Sequence, residues 1–227
     1  PRIFPLRRGP RVIPRGYFAS LYDLDVLRRA AEAALGRKTL SDSRCRLLIP
    51  AFDLKRGVAH VWRTPHAPGA SGGDVVDVAL STSAAPVYFD PYRSPKGLAM
   101  VDGGVWANCP VLLAVTEGVG ALGWRPNEIA VLSLGCALGP FRESEGRPVG
   151  GGVLRWGTRL FQMFLAAQED SALDMARQIC GAENVVRIDP VDPTGSQAVD
   201  NPGDIARFQE MGRGVAQAAF SRLEARF

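Results

Sequence analysis

The segment Asn127–Gly135, "NEIAVLSLG", restricts the possible folds more than any other. Its centre is a near-continuous apolar run. A strand with one solvated face alternates apolar and polar side chains, and this one does not. The pattern predicts a buried strand of a parallel sheet with both faces covered. Parallel neighbours need long crossover connections, usually helices.

The chain supplies them. "YDLDVLRRAAEAALGRK" repeats Leu27, Ala31 and Leu35 at helical spacing, with Asp23 or Asp25 as cap and Gly36 as stop. Leu47 to Leu54 and Val58 to Arg63 read as a hairpin around Lys55-Arg56-Gly57. A helix is predicted from Asp74 to before Pro86, then a strand from Leu98 to Val101. Asn108 reads as the N-cap of a helix ending near Gly120, with Pro110 in its first turn. After Gly150–Gly152 a long helix runs to about Ile179, "ENVVRIDP" makes a short strand, and a last helix carries Gly212 and Gly214. Strands and helices mostly alternate, which predicts an α/β fold with a mostly parallel central sheet. At 227 residues, one domain spanning residues 1–227 is the default.

The net charge of +4 is unevenly spread, and all but Lys38, Lys55 and Lys96 of the 27 basic residues are arginine. Arg2, Arg7, Arg8, Arg11 and Arg15 precede the first acid, Asp23. Such a patch attracts phosphate groups of lipid or nucleic acid. No aromatic-rich basic groove accompanies it, so a solvated entry loop is favoured and nucleic acid is not expected as a partner. Cys45, Cys109, Cys136 and Cys180 lie far apart without a C-x-x-C, which argues against zinc and against a disulfide framework. No acidic loop has calcium-ligand spacing. No metal or cofactor is implied. Reduced thiols fit a cytoplasmic location. No apolar run reaches the ~18 residues of a membrane span. The start, "PRIFPLRRGPRVIPRG", has neither an initiator Met nor a signal-peptide core, and reads as part of a longer protein.

The chemistry-bearing stretch is "AMVDGGVWANCPV", Ala99–Val111. Strand, acid, two glycines and a helix start present a carboxylate, Asp102, at the rim of a sheet. A general base needs a nucleophile to serve. "GASGG" places Ser71 in a G-x-S-x-G pattern, but the nucleophile elbow requires a buried strand before the serine. Here "RTPHAP" precedes it, and its prolines rule out a central strand. Ser71 therefore reads as a loop residue. His60 lies in a hairpin strand and His66 in the proline loop; both read as surface residues and complete no triad.

In combination these segments resemble the patatin-like phospholipase family. "DGGVWANCP" resembles its D-G-[GA] box, "ALSTSAAPVYFDPY" its A-T-S-A-A-P-x-Y-F-x-P segment, and "VLSLGCALG" its L-S-L-G-T-G strand and turn. "LLIPAFDLKRGVAHVWRT" resembles the preceding strand pair, and "GTRLFQMFLAAQEDSALDMARQICGAENVVRIDP" the late helix and final strand. The order is the family's, over about residues 1 to 225. Cys109 and Cys136 depart from the family's usual Asn-like and Thr residues.

The resemblance implies a three-layer α/β/α fold and a serine–aspartate dyad without histidine. Asp102 is then the dyad carboxylate. Gly103 and Gly104 let the backbone pass close to the nucleophile elbow, and Asn108 fixes the turn and caps the next helix. The nucleophilic serine and the glycine-rich oxyanion loop are expected upstream of Pro1, which leaves this chain inactive alone. The implied activity is acyl hydrolysis of a membrane lipid or lipid-like ester, releasing fatty acid at a surface that the protein rests on peripherally. Ser83 reads as packing or capping. Phe161, Met163 and Phe164 read as core, with an acyl pocket as the functional option. The competing readings are a patatin-fold interaction or regulatory domain without chemistry, and an ordinary α/β hydrolase using Ser71.

Overall fold

A computed structural model describes residues 19–65, 72–136, 153–192 and 201–224. The basic N-terminal stretch, His66, Ser71 and the Gly150–Gly152 loop lie outside the described residues. The chain forms two compact units, Pro1–Asn108 and Cys109–Phe227.

The first unit begins with helix α1, Leu24–Leu35, capped by the Asp23 carboxylate on the Asp25 N–H and closed by Gly36 at φ 64°. That left-handed conformation is open to glycine at little cost. Strands β1, Leu48–Asp53, and β2, Val58–Arg63, pair antiparallel from Leu48↔Arg63 to Asp53↔Val58. Asp53 stabilises the connecting turn by accepting from the N–H groups of Lys55 and Arg56 at 2.9 and 3.2 Å. Helix α2, Val75–Ser83, is capped by Asp74, which accepts from Val76 and Asp77. Strands β3, Tyr92–Arg93, and β4, Ala99–Asp102, complete a four-stranded sheet in the order β2-β1-β4-β3.

Val76, Leu80, Ala84, Tyr92 and Met100 form the core, and Leu27, Ala31 and Leu35 of α1 pack against it. The predicted helical spacing of α1 is thus its core-facing stripe. Tyr92 is fully buried and donates its hydroxyl to Asp77, while the Arg28 guanidinium lies 5.5 Å above its ring. A buried phenol needs such a partner.

The second unit contains α4, Val111–Gly120, β5, Val131–Leu134, α5, Val153–Cys180, β6, Val185–Ile188, and α6, Ile205–Glu224. A short helix, α3, Gly104–Ala107, precedes them at the end of the first unit. Strands β5 and β6 are parallel, in register Val131↔Val185 to Leu134↔Ile188. The core combines Val111 and Val115 with Val131, Leu173, Ala176 and Val185. Helix α5 is interrupted at Gly157, φ 44° and ψ −131°. Arg187 of β6 donates to Ser133 at 2.8 Å and Asp189 at 2.9 Å and pairs with Glu169, which ties β5, β6 and α5 together.

The α/β class agrees with expectation, but the sheet is mostly antiparallel among the described residues. The reason is connection length. Residues 54–57 join β1 to β2, and residues 94–98 join β3 to β4. Links this short permit hairpins only, since a parallel pair needs a dozen or more residues between strands. The third antiparallel pair, β1 with β4, is not a hairpin, since β2, α2 and β3 lie between them; β5 and β6, joined through α5, form the parallel pair among the described residues.

Candidate functional site

Asp102 is the last residue of β4 and pairs with Ala51 of β1. Its N–H donates to the Ala84 carbonyl at the end of α2, at 3.1 Å. The residue is therefore held by a strand on one side and a helix end on the other. Its carboxylate accepts the Gly104 N–H on Oδ1 at 2.7 Å. Among the described residues this is the only hydrogen bond of the side chain, so Oδ2 is left for another donor. Partial burial pushes the carboxyl above the ordinary aspartate range, and the Gly104 hydrogen bond opposes that rise.

The two glycines do different things. Gly103 has φ −67°, an ordinary helical value. Its requirement is space: a Cβ there would stand 2.2 Å from the Pro50 carbonyl oxygen. At Gly104 a Cβ would stand 3.1 Å from Asp102 Oδ1 and 3.6 Å from Asn108 Oδ1. Gly103 thus lets the motif close onto β1, and Gly104 leaves room for the carboxylate.

Two further residues brace this arrangement. Thr82 donates to the Pro50 carbonyl at 2.7 Å, and Trp106 of α3 donates its indole N–H to the Ala51 carbonyl at 2.8 Å. Both acceptors belong to β1, opposite Asp102 and Gly103. Trp106 was visible in the motif, and a partly buried indole N–H requires an acceptor. The acceptor's identity is a matter of sheet pairing, which local sequence does not carry.

Asn108 does not cap α4. It is the C-terminal cap of α3 at φ −59° and ψ −36°, and Pro110 occupies the N-cap of α4. The intervening helical turn was not anticipated. Asn108 still stands beside the motif, its Oδ1 3.6 Å from where a Cβ on Gly104 would stand.

Ser83 is exposed at the end of α2. His60 is half-buried rather than a surface residue. Its ring stands edge-on to Trp62 with centroids 4.6 Å apart, and burial lowers its pKa. Phe161 and Phe164 are 50% and 51% exposed, so neither is core. Among the described residues no group of His, Cys, Asp and Glu could hold a metal ion, and no helix is long and apolar enough to cross a membrane.

Asp102 is thus a partly buried carboxylate at a strand end of an α/β protein, followed by two close-packed glycines. Residues 7–115, nearly half of the chain, match the family model described as patatin-like phospholipase. It is 32% identical over 83% of its length to a "cGAMP-activated phospholipase" of Pseudomonas aeruginosa, covering 57% of that protein. A protein of the same description from Vibrio cholerae is 36% identical over 52% of this chain and 34% of its own length. "Patatin-like protein 2" of Arabidopsis thaliana is 29% identical over 87% of this chain and 58% of that protein. The chain spans less than three fifths of each of these relatives.

Proposed function

We propose that the chain is the aspartate-bearing part of a single patatin-like domain that hydrolyses lipid acyl esters. Asp102 acts in it as general base of a serine–aspartate dyad. The observation that carries this reading is the state of the carboxylate. One oxygen is oriented by Gly104, the other has no described partner, and burial favours the proton-bound form. A carboxylate whose affinity for protons is raised takes a serine proton more readily.

The serine oxygen attacks the ester carbonyl as its proton passes to Asp102 Oδ2, and Asp102 returns that proton to the leaving oxygen as the acyl-enzyme forms and the alcohol departs. Water then attacks the acyl-enzyme as the same carboxylate takes its proton, and the proton passes to the serine oxygen as the fatty acid leaves. Backbone N–H donors of a glycine-rich loop would hold the oxyanion. Serine and loop are assigned to sequence outside these residues. The substrate class is a glycerolipid at a membrane surface, approached peripherally from the cytoplasm. Activation by cGAMP is named for the bacterial relatives, and no residue described here is assigned to it.

The test is fluorophosphonate labelling of the full-length gene product, with the modified peptide mapped by mass spectrometry. A label on a serine preceding Pro1 in that product, lost in Asp102→Asn, is the expected result. A folded product without a labelled serine would make the chain an interaction domain instead.

A further inference from the structure

The turn between α2 and β3 contains Val87 at φ 74°, the one non-glycine residue with positive φ among the described residues. A β-branched side chain in this region is strained. The surroundings hold it there. Leu21 donates to the Val87 carbonyl at 3.0 Å, Tyr22 to the Tyr88 carbonyl at 2.8 Å, and Phe89 to Ala85 at 2.9 Å. The Tyr22 ring packs on Tyr88 and Phe89, with centroids 6.3 and 5.9 Å away.

The strain yields no burial in return, because Val87 is 57% exposed. Glycine would fit the backbone better, and a polar residue would suit the solvent. Strain that the fold over-determines, at an exposed apolar residue, is characteristic of ligand contacts. The turn also belongs to the scaffold of Asp102: the Ala84 carbonyl holds the Asp102 N–H, and Thr82 holds the Pro50 carbonyl against which Gly103 closes. Consecutive Cα atoms are 3.8 Å apart, so Val87 lies within about 11 Å of Ala84.

We propose that Val87 is an apolar lip of the Asp102 site that contacts the acyl chain of the substrate and sets chain-length preference. This rests on the reading of Asp102 as the dyad carboxylate. Val87 is a specificity-determining residue and takes no part in proton transfer. Its exposed isopropyl group is free to shield the first methylenes of a long chain and has nothing to contact on an acetyl group.

The experiment uses the full-length gene product and p-nitrophenyl esters from acetate to decanoate, with Tm recorded for each variant. Val87→Gly removes strain and side chain together, and Val87→Ala removes most of the side chain alone. Val87→Gly should lower the decanoyl-to-acetyl ratio of kcat/KM about tenfold, leave acetyl turnover within about twofold, and keep or raise Tm. Val87→Ala should lower the same ratio by a smaller factor. An unchanged ratio in both variants overturns the proposal, as does an equal loss on all chain lengths. Asp102→Asn separates the two readings. Full turnover in that variant removes the dyad while leaving the Val87 ratios to be judged in the unsubstituted background. A folded wild type without esterase turnover removes both.

Discussion

Gly103 closes onto Pro50 so tightly that a methyl group at Gly103 would stand 2.2 Å from the Pro50 carbonyl oxygen. The obstacle is backbone, which cannot rotate away as a side chain can. Gly103→Ala should therefore destabilise by about 3 kcal/mol, the upper range for overpacking. Urea unfolding measures this. A change within about 0.5 kcal/mol, the usual range of an unstrained surface substitution, would show that β4 and β1 are not in this contact.

Gly104→Ala should behave differently. Its Cβ would meet Asp102 Oδ1 at 3.1 Å, a contact that a small movement of the carboxylate relieves. The expected stability loss is about 1 kcal/mol. The larger effect should be on turnover, because the movement displaces the carboxylate proposed as the proton acceptor. Comparing kcat with the urea midpoint for both glycine variants separates the two roles.

Asp102→Asn should lower kcat by about 10²–10⁴-fold, the usual contribution of a positioned general base. It should also stabilise the fold. Burial raises the folded-state pKa of Asp102 above the ordinary carboxylate range, so the folded protein binds its proton more tightly than the unfolded chain. Stability from this group is complete at pH values below the unfolded pKa and is lost as pH rises through the folded one. The asparagine variant should gain Tm at neutral pH, and the gain should vanish in acid. An equal difference at every pH would mean that ionisation of Asp102 is not its source.

Trp106→Phe keeps the ring and removes the indole donor to Ala51. Leaving the carbonyl without this bond should cost about 1 kcal/mol. Part of the effect should appear as reduced kcat, since Ala51 is the strand partner of Asp102. A purely structural bond would shift Tm and leave kcat alone.

Arg187→Met should destabilise by about 3 kcal/mol at neutral pH, since it leaves Glu169 and Asp189 facing each other without their common cation. Burial and the Asp189 charge push Glu169 up, so acid should neutralise it early. The penalty measured by thermal unfolding should therefore shrink as pH falls. A constant penalty would locate the loss in packing rather than charge.

Much of the architecture was legible because it is local. Asp23 and Gly36 bound α1, Asp74 opens α2, and the Lys55-Arg56-Gly57 turn joins β1 to β2, each through contacts within a few residues. The predicted ends of α4 and α5 agree to within a residue or so with Gly120 and Cys180. Asp102 was found at a strand end because strand, acid and glycines are contiguous. Asn108 was misassigned because an extra helical turn, Gly104–Ala107, stands between the acid and α4. His60 reads as exposed from its strand alone, yet Trp62 covers it.

The sequence by itself determined where most strands and helices form, though not α3 or the two-residue β3, and which carboxylate ends a strand, because capping, turn chemistry and apolar periodicity act over one or two turns of chain. The tertiary structure decided strand direction, the need for glycine at 103, and the bracing of Asp102 by Ala84, Ala51 and Trp106. Those properties depend on which distant backbone groups meet, and sheet pairing, a relation between remote segments, sets that.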